Sequence, residues 1–336
     1  MKILGIESSC DECAASVVED GRHIISNVIA TQIDFHKPYS GVVPEIASRI
    51  HLEWIGAVVK EALDKADMKA SDLDGVAVTS RPGLMGSLLV GLSFAKAFSW
   101  SLGIPFVTVD HIKAHLYAAH LENDISYPYI GLLVSGGHTI ICKVEAFDDI
   151  QIMGTTIDDA VGEAFDKVAK FYNLGYPGGV IIDKLSKEGD KDFFDFPSPN
   201  LHKGEHPYDV SYSGLKNAVL HQTHLFKAKE GTYSVADIAA SFQKRAISIL
   251  LKRLFKATSD TGIYKVVAGG GVAANSFLRS ELAKKTDLEV IFPSLSLCTD
   301  NGAMIGGIGY HYLKAGSDTL DITASPRVAG FRKIYP

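Results

Sequence analysis

Two stretches of this sequence share one pattern, and their repetition constrains the fold more than any other feature. Residues 2–18 read as a short apolar strand, a polar turn at Glu7–Glu12 and a second strand. Residues 129–146 repeat this order around the turn Ser135-Gly-Gly-His138. A strand–turn–strand unit that recurs in this way is typical of a duplicated lobe. We therefore predict two lobes of similar architecture.

Strands and helices alternate around these two units. The pattern predicts a helix over about 44–65, a strand over 75–79, an apolar helix over about 87–102 and a strand over 105–109. Such alternation is typical of α/β proteins and argues against an all-β fold or a helix bundle.

The predicted lobe boundaries follow from this order of elements. We place the first lobe at residues 1–110 together with about 300–336. The second lobe takes residues 111–299 and carries a polar insert at about 186–236.

A third glycine-rich turn predicts nucleotide binding. Gly269-Gly-Gly-Val-Ala-Ala-Asn275 lies between a predicted strand at 264–267 and a predicted helix that runs to about residue 285. The N-terminus of a helix favours an anion, and tight turns expose N–H groups to phosphate oxygens. The spacing matches neither the dinucleotide-binding fingerprint nor a P-loop. Two hairpin turns and one such strand–helix turn indicate the two-lobed, actin-like ATPase class (ASKHA, a duplicated ribonuclease H-like fold), in which the nucleotide sits between the lobes.

His111 and His115 form a candidate metal clamp. A spacing of four residues places both imidazoles on one face of a helix. Ile112 stands where a zinc protease of the His-Glu-x-x-His type has its glutamate base, so a protease is excluded. A chance pair on an amphipathic helix is the alternative.

Asp300 is the candidate third ligand. It follows a predicted strand at 290–292 and precedes an apolar, glycine-rich helix, so it could instead cap that helix. Two histidines and one carboxylate suit Fe²⁺ with open coordination positions, and we expect iron rather than zinc.

Composition narrows the class of protein. The 336 residues carry a formal net charge of -6, which argues against nucleic-acid binding by bulk electrostatics. Four irregularly spaced cysteines and the lack of a predicted signal peptide or apolar run near ~18 residues indicate a cytoplasmic protein without a membrane role. Cations that could contact RNA, or could simply form a solvated face, are Lys203, Lys216, Lys244, Arg245, Lys252, Arg253 and Lys256.

Ten ordered motifs resemble one family, the bacterial tRNA threonylcarbamoyladenosine transferases of the TsaD type. They extend from the first predicted strand to the last predicted helix. The motifs are Glu7-Ser-Ser-Cys-Asp-Glu12, Gly41-Val-Val-Pro-Glu-Ile-Ala-Ser-Arg49, Pro82–Gly91, His111–His115, Ser135-Gly-Gly-His-Thr139, Asp158–Lys167, Tyr176-Pro-Gly-Gly179, Ser211-Tyr-Ser-Gly-Leu-Lys216, Gly269–Asn275 and Cys298-Thr-Asp-Asn301.

The resemblance implies a reaction and a set of site residues. The family has the actin-like fold and transfers a threonylcarbamoyl group from threonylcarbamoyl-AMP to the exocyclic amine of the adenosine 3′ to the tRNA anticodon. His111, His115 and Asp300 match its metal ligands, for one Fe²⁺ per subunit, with zinc possible in purified protein. Glu12 matches a polar residue near the cleft. The positions that match the acyl-adenylate site are Val134, Ser135, Gly136, Gly137, His138, Asp166, Gly179, Asp183 and Asn275.

The resemblance also implies partners. These are tRNA, a shortened relative of the same fold (TsaB type) and a small ATPase (TsaE type), while a separate enzyme supplies the acyl-adenylate.

Three positions depart from the family pattern. Cys13 replaces a threonine and creates Cys10-x-x-Cys13, which we interpret as a small buried substitution rather than a redox or metal site. Arg81 and Ala114 stand where glycine is common. They leave the proposed ligands untouched, although the local shape can differ.

Other interpretations stay open at this stage. Asp158 and Asp159 could cap a helix that starts near Ala160 or could have a catalytic role, and Ser213 and Lys216 could face tRNA or a partner. An actin-fold small-molecule kinase would need a catalytic aspartate and Mg²⁺, with no use for the histidine pair. A non-catalytic nucleotide-binding scaffold would lack the two histidines and Asp300.

Overall fold

The computed structural model describes residues 1–199, 201 and 207–327. Its strands are β1 (Lys2–Glu7), β2 (Glu12–Glu19), β3 (His23–Thr31), β4 (Gly75–Arg81), β5 (Phe106–Asp110), β6 (Tyr129–Val134), β7 (Thr139–Val144), β8 (Ile150–Thr155), β9 (Lys265–Gly269) and β10 (Glu289–Ile291). Its helices are α1 (Ile33–His36), α2 (Pro44–Lys65), α3 (Met85–Leu102), α4 (His111–Tyr117), α5 (Val161–Phe171), α6 (Gly178–Leu185), α7 (Ser213–His221), α8 (Val235–Thr261), α9 (Ser276–Ala283), α10 (Leu295–Cys298) and α11 (Gly302–Ala315).

The described chain divides into two compact units. Unit 1 contains residues Met1–Ile125 and the described chain from Pro293 onwards, and unit 2 contains Ser126–Phe292. The first boundary lies farther along the chain than the predicted 110/111, because α4 follows β5 directly and packs against α11 of the same unit. His111 and His115 therefore belong to unit 1 together with Asp300.

The two units have the same sheet topology. The strand order is β3-β2-β1-β4-β5 in unit 1 and β8-β7-β6-β9-β10 in unit 2. In each sheet the first three strands of the unit are antiparallel, and the next two are parallel to the first. The predicted duplication and α/β class are confirmed. The third strand of each unit, β3 and β8, is a partly exposed edge strand that the sequence pattern did not reveal.

Helices cover both faces of the unit 1 sheet. Alternate residues of β1 point to opposite faces, so Leu4 and Ile6 enter a core with α2 and α3, whereas Gly5 faces α11. Helix α3 is long and apolar enough to cross a membrane, but the core helices of globular proteins often have the same length and composition. One face of α3 is buried through Leu88 and Leu92.

Glycines allow α11 to lie directly on the sheet. A Cβ atom on Gly5 would overlap the carbonyl oxygen of Gly302 and lie 2.8 Å from Cα of Gly306. Gly302, Gly306 and Gly309 follow the i, i+4, i+7 spacing of one helix face and meet β2 and β4 as well. This contact positions the segment that precedes α11, where Asp300 lies.

The described part of the predicted insert is not uniformly polar. Phe193, Phe194 and Phe196 are buried, and Tyr233 packs edge-on against Phe194 at 5.0 Å between ring centroids. Ion pairs then join the insert to α8, namely Lys244 with Asp192 and Arg245 with Asp195.

Most of the candidate RNA-binding cations on α8 are already engaged. Besides the two ion pairs with the insert, Lys256 pairs with Asp260 at 2.7 Å, and Arg253 donates to the Pro207 carbonyl at 3.2 Å. These contacts favour the solvated-face interpretation of this helix. Lys203 lies outside the described residues.

The Gly5 contact generates a stability prediction. We expect Gly5→Ala to cost about 1–3 kcal/mol, because the added methyl group meets backbone that cannot move aside. The midpoint of thermal unfolding should fall by several degrees, measured by calorimetry. Gly56→Ala in α2 is the matched control, since a Cβ there meets nothing within 4 Å. It should leave stability unchanged or raise it by about 0.5–1 kcal/mol. Equal effects of the two substitutions would contradict this account.

Candidate metal centre and substrate-binding residues

Three predicted ligands meet in unit 1. Nε2 of His115 lies 3.0 Å and Nε2 of His111 lies 3.6 Å from Oδ1 of Asp300. One ligand atom from each residue falls within 4.8 Å of the others, a spacing at which one ion can be held. Both histidines are buried and Asp300 is partly so. Two imidazole nitrogens and a carboxylate oxygen form a donor set that suits a divalent transition metal.

Local capping brings the two histidines onto one face. Asp110 ends β5 and caps α4, where Oδ1 accepts hydrogen bonds from the amides of Ile112 at 2.9 Å and Lys113 at 3.4 Å. The helix therefore starts at His111, and His115 follows one turn later. Their ring centroids lie 4.5 Å apart with the planes nearly perpendicular.

Asp300 is not the cap of the following helix. Asn301 has that role, because its Oδ1 accepts from the amide of Met304 at 2.9 Å. Asp300 is left to face the histidines. The alternative interpretation of Asp300 as an N-cap is therefore wrong, because the next residue, Asn301, is the cap.

Glu7 orients His111 and is a site residue that the sequence analysis missed. Its Oε2 lies 3.0 Å from Nδ1 of His111 and accepts from Oγ1 of Thr79 at 2.7 Å. Its Oε1 accepts from the amide of Ser9 at 2.6 Å, and the Ser9 hydroxyl lies 3.2 Å from the same His111 nitrogen. A carboxylate on Nδ1 leaves Nε2 for a metal, a common arrangement around metal-binding histidines. The available signal was a glutamate at the end of a buried strand.

The electrostatics of the cluster favour a bound cation. Burial opposes the charge on His111, but Glu7 and Asp300 outweigh it and raise the pKa of His111 to about 9. Burial lowers the pKa of His115, and the neighbouring His111 lowers it further. Burial raises the pKa of Glu7, yet His111 more than compensates and the net shift is downward. The two carboxylates that raise the pKa of His111 would favour a divalent cation at Nε2 in the same way that they favour a proton.

Glu12 and Cys13, at the start of β2, also have shifted pKa values. Burial, together with Asp300 and Asp11, raises the pKa of Glu12 well above its usual range, and Glu12 accepts a long hydrogen bond from Thr31 at 3.4 Å. Burial raises the pKa of Cys13 to about 12, and Cys13 packs in the apolar core of unit 1. All four cysteines are free. These contacts agree with Cys13 as a small buried substitution.

In unit 2 the turn Ser135–His138 joins β6 and β7. The amide of Ser135 donates to the His138 carbonyl at 2.8 Å, and the amide of His138 donates to the Ser135 hydroxyl at 3.1 Å. A Cβ on Gly136 or Gly137 would meet nothing within 4 Å, so space is open above the turn. Val134 ends the preceding strand.

The first turn of α5 lies against this hairpin. A Cβ on Gly162 would be 2.5 Å from the Ser135 carbonyl oxygen and 2.8 Å from Cα of Gly136. Only glycine fits this approach, which places a helix N-terminus next to the turn.

The other predicted substrate residues of unit 2 lie at the starts of α6 and α9 or bind these starts through their side chains. Oδ1 of Asp166 accepts from the amide of Gly178, the first residue of α6, at 2.7 Å, and Gly179 follows. Asp183 accepts from the hydroxyl of Ser276 at 2.9 Å and from its amide, at the start of α9. Asn275 caps α9 through Leu278 N at 2.9 Å and donates to Oε1 of Gln243 at 2.8 Å. The structure therefore gathers these residues around neighbouring helix starts.

Asp158 and Asp159 have structural partners. Ala160 precedes α5 as its cap position, so the two aspartates are not an N-cap pair. Asp158 accepts from Ser211 Oγ and from the amide of Tyr212 at 2.8 Å. Asp159 forms ion pairs with Lys216 and with Lys167, the latter at 2.6 Å. They anchor the start of α7.

Arg81 also has a partner in this structure. Its Nε lies 3.4 Å from Oδ2 of Asp110, the buried residue that caps α4. Arg81 pairs with Asp110 across β4 and β5 after an irregularity in the register between Thr79 and Arg81. The departure from glycine at this position therefore adds a contact to the cap of α4, the helix that carries His111 and His115.

Duplicated sheets of this topology and a two-histidine, one-carboxylate cluster define an actin-like ATPase fold with a candidate metal centre. The chain is similar in fold to component A of (R)-2-hydroxyglutaryl-CoA dehydratase from Acidaminococcus fermentans. The TM-score is 0.56 at 16% sequence identity, over 94% of this chain and 99% of that one.

Sequence comparisons then establish the family. The TsaD family model, described as tRNA N6-adenosine threonylcarbamoyltransferase, matches residues 23–307. A protein of that name from Treponema denticola is 64% identical over 334 residues, which are 99% of each chain. Another from Borreliella burgdorferi is 52% identical over 336 residues, which are 100% of this chain and 96% of the relative. The chain belongs to the TsaD family of transferases.

The Glu7 contact generates a prediction on metal affinity. We expect Glu7→Gln to weaken divalent metal binding about 10- to 100-fold, because the neutral amide no longer holds His111 with a full charge. Titration of the metal-free protein with Co²⁺, followed by visible absorbance, measures the dissociation constant. Glu53→Gln on the exposed side of α2 is the control and should match the wild type. An unchanged constant for Glu7→Gln would remove Glu7 from the site.

Proposed function

We propose that this protein transfers the threonylcarbamoyl group from threonylcarbamoyl-AMP to the exocyclic amine of the adenosine 3′ to the anticodon. The acceptors would be tRNAs that read codons beginning with A. The observation that carries the proposal is the TsaD family match together with the buried cluster of His111, His115 and Asp300. A small-molecule kinase or a non-catalytic scaffold has no use for this cluster.

The chemistry of the donor determines what the site must do. Threonylcarbamoyl-AMP is a mixed anhydride, so AMP is already a good leaving group and little acid catalysis is required. The protein must hold the donor and stabilise the negative charge that develops at its carbonyl oxygen.

We propose one Fe²⁺ per subunit at His111, His115 and Asp300, with zinc able to take its place during purification. When bound, the metal would anchor the donor and supply a Lewis acid for its carbonyl group. Glu7 would keep the His111 ring in the orientation that leaves Nε2 available. Asp110 would keep both histidines on one face of α4 through its cap.

Unit 2 would bind the donor nucleotide. We assign the phosphate to the turn Ser135–His138, at the amides of Gly136 and Gly137, because the turn is open above its glycines and lies against the N-terminus of α5. The amides of Ser135 and His138 hold the turn in shape instead, since each already donates within it. Val134, Asp166 and Gly179 would shape the same site, and Asp183 and Asn275 would contact the ribose or base. The hydrogen bonds of these polar residues at the starts of α6 and α9 would keep them in place. Glu12, the proposed cleft residue, would lie in unit 1 at the end of the first hairpin turn, where burial and the nearby Asp300 raise its pKa.

We propose that the protein acts in the cytoplasm with a TsaB-type paralogue and a TsaE-type ATPase, while another enzyme supplies the donor. An acidic chain does not attract tRNA by overall charge, so a partner or a local surface must contribute to tRNA binding.

The test is transfer of labelled threonine from threonylcarbamoyl-AMP to tRNA in the presence of the proposed partners. We expect labelling with the wild type and a loss of at least about 100-fold with His111→Ala, which removes a metal ligand. The matched control is His221→Ala, an exposed histidine at the end of α7, which should retain wild-type rate. A tRNA that reads codons with another first base should stay unlabelled.

Two outcomes would contradict this function. Absence of label with folded wild-type protein and intact donor would leave a nucleotide-binding fold without this activity. Transfer of the γ-phosphate of ATP to a small hydroxylated substrate, with Mg²⁺ as the required metal, would identify a kinase.

The partner proposal has a surface to test. In unit 1, Leu52 on α2 and Leu89 on α3 are 70% and 46% exposed, and they line an apolar groove with Ile55, Val90 and Phe94. We propose that the TsaB-type paralogue covers this groove, since exposed apolar surface of this kind favours a protein partner.

The double substitution Leu52→Glu with Leu89→Glu should weaken binding of the paralogue at least about tenfold in isothermal titration calorimetry. Co²⁺ affinity should stay at the wild-type value, because neither residue contacts the metal cluster. Unchanged paralogue affinity would place the partner elsewhere, and a change only in self-association by sedimentation would assign the groove to a second copy of this chain.

A further inference from the structure

The turn between β1 and β2 carries the groups that orient His111. Glu7 and Ser9 both contact Nδ1 of this ligand, at 3.0 and 3.2 Å. The position of the ligand therefore depends on how firmly the backbone of this turn is held.

Three successive carbonyl groups of the turn are bound by three different elements. The Ser9 carbonyl accepts from the amide of Leu84 at 2.7 Å, before α3. The Asp11 carbonyl accepts from the amide of Gln32 at 3.0 Å, after β3. Between them, the Cys10 carbonyl lies 2.9 Å from Nε2 of His51 in α2. Two of these three donors are backbone amides, and the third is the His51 side chain.

The chemistry of this contact fixes the state of the imidazole. A carbonyl oxygen can only accept, so Nε2 of His51 carries the proton and donates. His51 is fully buried, and its Nδ1 has no hydrogen-bond partner among the described residues. Burial lowers the pKa of His51, against the effect of the Cys10 carbonyl and nearby carboxylates, so the ring stays neutral. Its one hydrogen bond is directed to the turn.

We infer that His51 is a positioning residue for the metal centre, and that it acts through the Cys10 carbonyl on the turn that holds Glu7, Ser9 and hence His111. Without this donor, a partly buried carbonyl group loses its partner and the turn can shift. Helix α2 therefore contributes to metal binding although it supplies no ligand. The inference rests on the proposed metal site and does not depend on the transfer reaction.

Two substitutions separate the hydrogen bond from the packing of the ring. His51→Gln can place an amide N–H near the position of Nε2 and reach the Cys10 carbonyl, whereas the amide of His51→Asn is too short. His51→Leu fills a similar volume with no donor. The asparagine variant serves as the test if the leucine variant does not fold.

The readout is Co²⁺ binding to the metal-free protein, with the dissociation constant and the visible d–d spectrum recorded beside the thermal midpoint. We expect His51→Asn and His51→Leu to weaken binding about tenfold and to alter the spectrum, because an outer residue that orients a ligand has effects of this size. His51→Gln should stay within about threefold of the wild type and keep its spectrum.

Three other results would contradict either the role of His51 or the metal site itself. If all variants bind Co²⁺ like the wild type and differ only in thermal midpoint, His51 has a packing role and the inference is wrong. If glutamine and asparagine weaken binding equally, the hydrogen bond is not the cause and the inference also fails. If the wild type itself binds no Co²⁺, the proposed metal site is wrong. That result differs from the two above, in which the metal site holds and only the role of His51 is wrong.

Discussion

The contact of α11 with β1 is the constraint on which the candidate metal centre depends. Asp300 and His115 are 185 residues apart in sequence, and they meet because glycines at positions 5, 302 and 306 allow the helix to lie on the sheet. The start of α11 is thereby held beside the end of β5, where α4 begins. A side chain at any of these glycines would push α11 away from the sheet. The position of Asp300 relative to the histidines therefore depends on residues that contribute no functional group of their own.

Near that contact, unit 1 buries several ionisable side chains, among them Glu7, His111 and His115. Glu7 is fully buried, and such a carboxylate is tolerated because His111, Thr79 and the amide of Ser9 all bind it. Glu7 and Asp300 together bring two formal negative charges, which a divalent cation would balance. The same hydrogen bonds that stabilise the buried carboxylate of Glu7 also define the orientation of the His111 ring. One network thus stabilises the buried Glu7 and orients a candidate metal ligand.

Unit 2 uses the same sheet topology for another purpose. Its predicted substrate residues lie in a hairpin turn or contact the N-termini of α6 and α9, and the glycines of the hairpin turn leave space for an anion. Asp166, Asp183 and Asn275 are at the same time hydrogen-bonded to these helix starts. Substituting them would therefore affect local order as well as any ligand contact, and a loss of activity alone would not separate the two effects.

The class of fold, the duplication and the candidate metal ligands could all be predicted from the sequence. Strand periodicity, the spacing of His111 and His115, and ordered motifs are all local patterns, so they can be read without coordinates. The sequence did not reveal the edge strands β3 and β8, whose mixed exposure weakens the alternation signal. It also left Asp300 undecided between cap and ligand. The structure shows that Asn301 is the cap and reveals the contacts of Glu7 and His51 and the partners of Asp158, Asp159 and Arg81. Their roles come from contacts between residues far apart in the chain, and such contacts leave no periodic trace in one sequence.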